Sequence, residues 1–351
     1  MLGLLRYLLA LMVVFSHLWP QTAWWQGTYA VFGFYVISGY LMTLVLNGNY
    51  QGEGGWRRYA INRLLRIFPP YVVVFLFSVT LLALAPWLLV EPVDLGLAYG
   101  QVVRTSESLS DWALNLTLVL PWSNQNFSVS QAWSLRVELV FYALMIVLVK
   151  WRPVVLTWLL VSLALVYYQH TLDLPFIDRY TSLAGSSLAF ALGSCVWHWR
   201  DRLALAPWQL WLSTGVFFLH AAFAAEIWGF ERLESFAHFF RTGSYGLYLS
   251  TILAAWMLAA IVSNTRAGAA RVPWSDWLGN LAYPIFLCHW LIAGLMLSVG
   301  VSFDDKPVLI PLSLLGIHLL AYAIYVGIER PIDDHVRKRV RNQSREHIAA
   351  T

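Results

Sequence analysis

Arg6 and His17 stand eleven residues apart in the otherwise apolar run "LRYLLALMVVFSHL". On an α-helix, eleven steps of about 100° make three turns plus roughly 20°, so the two side chains share one face about 16 Å apart along the axis. A guanidinium suits phosphate, and an imidazole can take a proton from a hydroxyl or accept an acyl group. The span between them matches the reach of an extended phosphopantetheine arm. A plainer alternative has Arg6 as an anchor that snorkels to the inner surface, and His17 as a packed polar residue bonded to a neighbouring helix.

Four other stretches carry polar groups where an apolar chain can least accommodate them. In "QAWSLRVELVFY", residues 131–142, Glu138 lies within an apolar run at a depth close to that of His17. A lone carboxylate there is costly, so a partner is expected. Arg136, two residues away, cannot share its helix face. His17 is the partner expected for Glu138, in a base–orienter pair, with a structural bond to backbone or indole N–H as the alternative. In "FGFYVISGYLMT", residues 32–43, Ser38 and Gly39 suit close helix packing, and Ser38 is also a candidate oxyanion donor. In "LAYPIFLCHW", residues 281–290, Pro284 is expected to kink a helix just before His289, which opens a cavity or leaves a bonded structural histidine. In "NRLLRIFPPY", residues 62–71, Arg63 and Arg66 fall on one helix face, an arrangement for phosphates or for anionic lipid headgroups.

These groups must be positioned by membrane helices. The chain has 351 residues, of which 59% are hydrophobic and only 12% charged. An ordinary soluble domain carries about 25% charged residues, so the composition excludes that class. It also gives no reason to expect a nucleic-acid partner. Ten stretches approach the length needed to cross a bilayer: 4–20, 28–47, 69–90, 133–149, 153–170, 181–199, 206–225, 244–263, 278–299 and 308–328. With the N-terminus in the cytoplasm, the inner side receives most of the 23 lysines and arginines, and the outer side only Arg104, Arg179, Arg232, Arg241 and Lys306. The fold class expected is thus an all-α integral membrane protein of about ten spans with both termini cytoplasmic. The outer loops are acidic, with Glu91, Asp94, Glu107, Glu226, Glu231 and Glu234 among their residues.

Residues 54–68 read as a separate amphipathic helix on the inner surface, and 112–132 as too polar and broken to cross. Residues 331–351 read as a solvated basic tail following a transmembrane domain over 1–330. The first apolar run has no small-residue cleavage site and is expected to be a retained helix. Cys195 and Cys288 both sit in apolar runs and suggest neither a disulfide framework nor a metal site.

Taken in order, the R-x10-H of Arg6 and His17, "FYVISGY", "RLLRIFP" and "WSLRVELVFY" resemble the acyltransferase-3 family of membrane acyltransferases that modify cell-surface carbohydrates. The resemblance runs from Arg6 to about Arg330. It implies ten core helices, an acyl-CoA donor (acetyl-CoA by default, with no metal) entering from the cytosol, and a surface carbohydrate or lipid-linked glycan as acceptor on the far side. It implies His17 as the essential base or acyl relay, with Glu138 and Ser38 beside it, and Arg6, Arg63 and Arg66 on the phosphates of the donor. Helix nine departs from the family pattern of Ser-Tyr followed by Tyr-Leu-x-His, reading Ala282-Tyr283 and Phe286-Leu287-Cys288-His289. Tyr283, His289 and Trp133 are secondary candidates for contact with substrate, and the stretch 122–133 for receiving a sugar. A bacterial cytoplasmic membrane is the compartment implied. The competing class is a transporter or flippase of a glycan or lipid-linked substrate, for which an internal repeat is expected; none is evident in the sequence.

Overall fold

The computed structural model describes residues 1–88, 108–224, 243–266, 272–302 and 304–340. Glu91, Asp94, Arg104, Glu107, Glu226, Glu231, Arg232, Glu234, Arg241 and the tail beyond residue 340 lie outside the described residues. The described residues are helical or in short connections, with no strand among them.

The helices are α1 (Leu2–Leu18), α2 (Pro20–Gly48), α3 (Gly55–Leu88), α4 (Leu109–Thr117), α5 (Ala132–Leu148) and α6 (Arg152–Thr171). They are followed by α7 (Phe176–Thr181), α8 (Leu183–Trp199), α9 (Pro207–Phe223), α10 (Gly243–Arg266), α11 (Pro273–Ser298) and α12 (Lys306–Ile324). Each of the ten stretches expected to cross falls on one of these helices. Six candidate spans, from α2, α3, α6, α10, α11 and α12, are long and apolar enough to cross a membrane.

Side-chain distribution is inverted relative to a soluble protein. Phe77 is 57% exposed, Leu160 64%, Trp211 71% and Leu319 63%. Ser16, Thr43, Asn115, Ser162 and Ser194 are buried. So much exposed apolar surface would aggregate in water and is the natural state of a lipid-facing surface.

Small residues set the closest approaches. α1 lies between α2 and α11. A Cβ on Gly3 would collide with the Ser275 carbonyl, and one on Gly279 with the backbone of Gly3. The Leu4 N–H donates to Ser275 Oγ at 2.9 Å across the same crossing. α2 packs on α8 by the same means: Gly39 meets the Phe190 backbone and Gly193 meets that of Val36. Thr43 Oγ1 then donates to Ser194 Oγ at 2.9 Å. In lipid, such close packing replaces the hydrophobic drive that assembles helices in water.

Two expectations are changed. The basic stretch 54–68 is not a separate surface helix; it forms the first turns of the 34-residue α3, which passes through Pro69 and Pro70. The missing N–H groups of the two prolines fall opposite the Leu65 and Arg66 carbonyls, and just beyond them the Tyr283 hydroxyl donates to the Ile67 carbonyl at 2.8 Å. Residues 331–340 are largely exposed but not a loose tail: beyond the π-helical turn Tyr325–Glu329 they continue the helix through a second one, Asp333–Arg337, with Arg337 buried. Arg337 Nε donates to Asn62 Oδ1 at 2.8 Å, and Asn62 Nδ2 returns a bond to the Arg337 carbonyl at 3.2 Å. Pro284 lies inside α11, as expected of a proline within a helix.

The segment from 108 to 131 begins with α4, capped by a reciprocal pair of bonds between Ser108 and Asp111. Bonds from Asn124 and Ser108 hold the Asp111 carboxyl below the usual carboxylate range. Arg136 fastens the rest of the segment, donating to the carbonyls of Leu118 (3.4 Å), Trp122 (3.2 Å) and Asn124 (2.7 Å). Its guanidinium also lies over the rings of Trp122 and Phe127. A buried cation inside an apolar helix is thus satisfied by three backbone dipoles rather than by Glu138.

Candidate active site: a cationic cavity and a histidine pair

A cavity of about 630 Å³ opens among α1, α2, α3, α5, α11 and the extension of α12. Arg6, Arg63 and Arg66 line it, as do Ser38, Glu138, Tyr283, Phe286 and Glu329. Its volume is in the range of small-molecule sites. The spacing of the motifs explains the convergence. Arg6 sits a little over one turn into α1, and Arg63 and Arg66 face the same space from the first half of α3.

The three arginines are held differently. Arg66 pairs with Glu329, Nη1 to Oε2 at 2.9 Å, with Glu329 buried. Its guanidinium also lies 5.8 Å from the centre of the Tyr283 ring. Arg63 rests against Tyr59, and its Nε is buried with no hydrogen-bond partner. Arg6 reaches the cavity with no ion pair among the described residues. A buried pair contributes little net stability once desolvation is counted, so Arg66 and Glu329 place charge more than they hold the fold together. Arg6 and Arg63 are left with unspent donors facing the cavity.

Glu138 does not meet His17. Its Oε1 accepts from Ser38 Oγ at 2.8 Å and its Oε2 from the Tyr142 hydroxyl at 3.1 Å. Hydrogen bonds to a charged group contribute about 1.5–3 kcal/mol each, enough to offset much of the cost of a buried carboxylate. Ser38 has one hydroxyl proton and gives it to Glu138, so it is not poised as an oxyanion donor. Tyr142 was legible at the spacing of one helical turn from Glu138. Ser38 is legible only once α2 and α5 are packed together.

His17 pairs instead with His289. Its Nδ1 lies 3.0 Å from His289 Nε2, and the rings stack with centroids 5.0 Å apart. Trp290 also lies against His17, ring to ring at 4.8 Å. His17 is not among the residues lining the cavity. Phe286 connects the two: it lines the cavity, and its ring lies 6.1 Å from that of His289. Gln131, at the start of α5, donates from Nε2 to the carbonyls of Phe286 (3.0 Å) and Leu287 (2.6 Å). It thereby fastens the turn of α11 that carries His289. Neither Gln131 nor Glu329 stood out in the sequence, where both read as ordinary polar residues near helix ends.

Of the remaining candidates, Tyr283 lines the cavity, whereas Trp133 lies off it with its indole against Tyr180 at 4.8 Å. No cluster of histidine, cysteine and acidic residues suited to a metal ion occurs among the described residues.

The site is therefore an anion-receptive cavity adjoining a pair of imidazoles, His289 buried and His17 half-buried, the two joined by one face of α1. Comparison with curated proteins and with solved structures finds no match. The family model described as an acyltransferase domain, however, matches residues 2–326, from the first turn of α1 to the first π-helical turn beyond α12. Cavity, histidine pair and supporting helices almost all fall within those bounds, and the chain belongs to the acyltransferase-3 family.

Proposed function

We propose that this integral membrane protein transfers an acyl group, acetyl by default, from cytosolic acyl-CoA to a hydroxyl of an extracytoplasmic glycan or lipid-linked glycan. The observation that carries the reading is the layout of α1: Arg6 enters a cationic cavity without an ion pair, and three turns further His17 ends in a histidine pair. A donor with phosphates at one end and a thioester at the other fits such a layout.

In this reading Arg6 and Arg63 receive the phosphates directly, and Arg66 does so while Glu329 holds its orientation. The pantetheine arm runs along α1, and the thioester passes Phe286 to reach His17. The acceptor hydroxyl gives its proton to His17 as its oxygen bonds to the thioester carbonyl carbon. The carbon–sulfur bond then breaks, and the thiolate takes the proton back from His17, so that ester and free thiol leave an unchanged enzyme. Glu138, bonded to Ser38 and Tyr142, balances the cationic side of the cavity. The reading extends to topology: all ten long helices cross, both termini face the cytosol, and the membrane is a bacterial cytoplasmic one.

The test is transfer of labelled acetyl groups by purified protein in lipid, with a surface-glycan extract as acceptor. Activity that requires acetyl-CoA and is lost in a folded His17→Ala variant supports the reading. Uptake of a glycan into vesicles without CoA would replace it with transport.

A further inference from the structure

We infer that His289 is a positioning residue that fixes the tautomer of His17, placing the proton on Nδ1 and leaving Nε2 as the one basic nitrogen. The tautomer itself follows from hydrogen-bond direction alone; its catalytic consequence rests on the acyl-transfer reading above.

The chain of bonds starts at a carbonyl. His289 Nδ1 lies 2.7 Å from the Phe286 carbonyl oxygen, which can only accept, so this nitrogen bears a hydrogen. In a neutral imidazole the other nitrogen is then an acceptor. That nitrogen, His289 Nε2, faces His17 Nδ1 at 3.0 Å, so His17 Nδ1 is the donor. His17 Nδ1 thus carries the hydrogen, which leaves the lone pair on Nε2.

The reverse arrangement would need a doubly protonated His289. No carboxylate pairs with either ring among the described residues, and an unpaired cation buried between membrane helices is strongly disfavoured. The Phe286 carbonyl that starts the chain is held in turn by Gln131, so the reference point is rigid.

This arrangement does by a neutral ring what a carboxylate does in other base–orienter pairs. When Nε2 takes the hydroxyl proton, the Nδ1–H of the resulting imidazolium points at the His289 lone pair. The imidazolium is thus stabilised by a hydrogen bond to a neutral ring, and no permanent anion stands beside the acyl group. The expectation that Glu138 fills this role is thereby replaced by a residue 272 positions from His17 in sequence.

Nitrogen NMR of histidine-labelled protein in lipid nanodiscs tests the tautomer without any acyl transfer, with His17→Ala and His289→Gln spectra assigning the signals. The expected result is a protonated Nδ1 and an unprotonated Nε2 on His17 at neutral pH; a protonated His17 Nε2 overturns the proposal. Kinetics test the consequence. In His289→Gln the amide can donate to the Phe286 carbonyl and accept from His17, so kcat should stay within about tenfold of the original. His289→Leu, which can do neither, should lose about 10²-fold or more in kcat with the KM for acyl-CoA unchanged. A folded His289→Leu variant that retains kcat overturns the positioning role. If the original protein transfers no acyl group, the functional reading fails, while the nitrogen spectrum still decides the tautomer.

Discussion

Five polar side chains in this protein share two partnerships that join neighbouring helices, and each assigns a proton. Ser38 and Tyr142 both give theirs to Glu138, and His17 gives its Nδ1 proton to His289. The consequences differ. Ser38→Ala removes one donor from a buried carboxylate and should cost about 1–3 kcal/mol of stability while leaving kcat within tenfold, measured by thermal unfolding in detergent and by acetyl transfer. A loss of more than 10²-fold in kcat would return Ser38 to direct chemistry. Arg6→Ala should act on binding: it deletes a cavity cation without an ion pair, so the KM for acyl-CoA should rise at least tenfold, with a smaller change in kcat. An unchanged KM would show that the phosphates lie elsewhere. Phe286, which lines the cavity and touches His289, gives a third contrast. Phe286→Trp adds bulk between cavity and histidine pair and should reduce kcat, whereas Phe286→Leu should retain it.

At the scale of elements, the decisive contact is the crossing of α1 and α11 at Gly3 and Gly279, because it sets the register that brings His17 to His289. Gly3→Val places a branched side chain against the Ser275 carbonyl. The helices must part, and the variant should lower both the unfolding temperature and kcat; Gly48→Val, where a Cβ would meet nothing within contact distance, should do neither. The helices themselves were legible because a run of about twenty apolar residues has few other folds available in a bilayer. Helical spacing left Arg6 and the two α3 arginines as either phosphate or surface contacts, and only the family resemblance grouped them as one set. The partner of His17 was not. Glu138 and His289 lie at comparable depth in sequence terms, and the choice between them depends on which helices touch. The glycine contacts that bring α1 against α11 decide it. The extension of α12 was hidden for a related reason: "RPIDDHVRKRV" reads as a free tail until Asn62 is seen to bond both the side chain and the backbone of Arg337.

For the whole molecule, the reading requires a membrane-spanning layout with donor and acceptor on opposite sides. The apolar exteriors of α3, α6, α9 and α12 suit a bilayer, and the cationic cavity lies at the end where the extension of α12 meets the first turns of α3. Single cysteines in a background lacking Cys195 and Cys288 test the orientation. Gln51→Cys, in the exposed turn between α2 and α3, should react with an impermeant reagent only from the cytosolic side. Ser302→Cys, between α11 and α12, should react only from the opposite side. Both reacting from one side would refute the layout.

The central claim is that α1 links a phosphate-binding cavity to a catalytic imidazole. The most direct measurement is transfer of label from acetyl-CoA to a surface-glycan acceptor by protein in lipid, comparing the original chain with His17→Ala of matched folding and matched acetyl-CoA binding. The account predicts that the variant still binds acetyl-CoA but transfers no label. Equal transfer by the two proteins would contradict it.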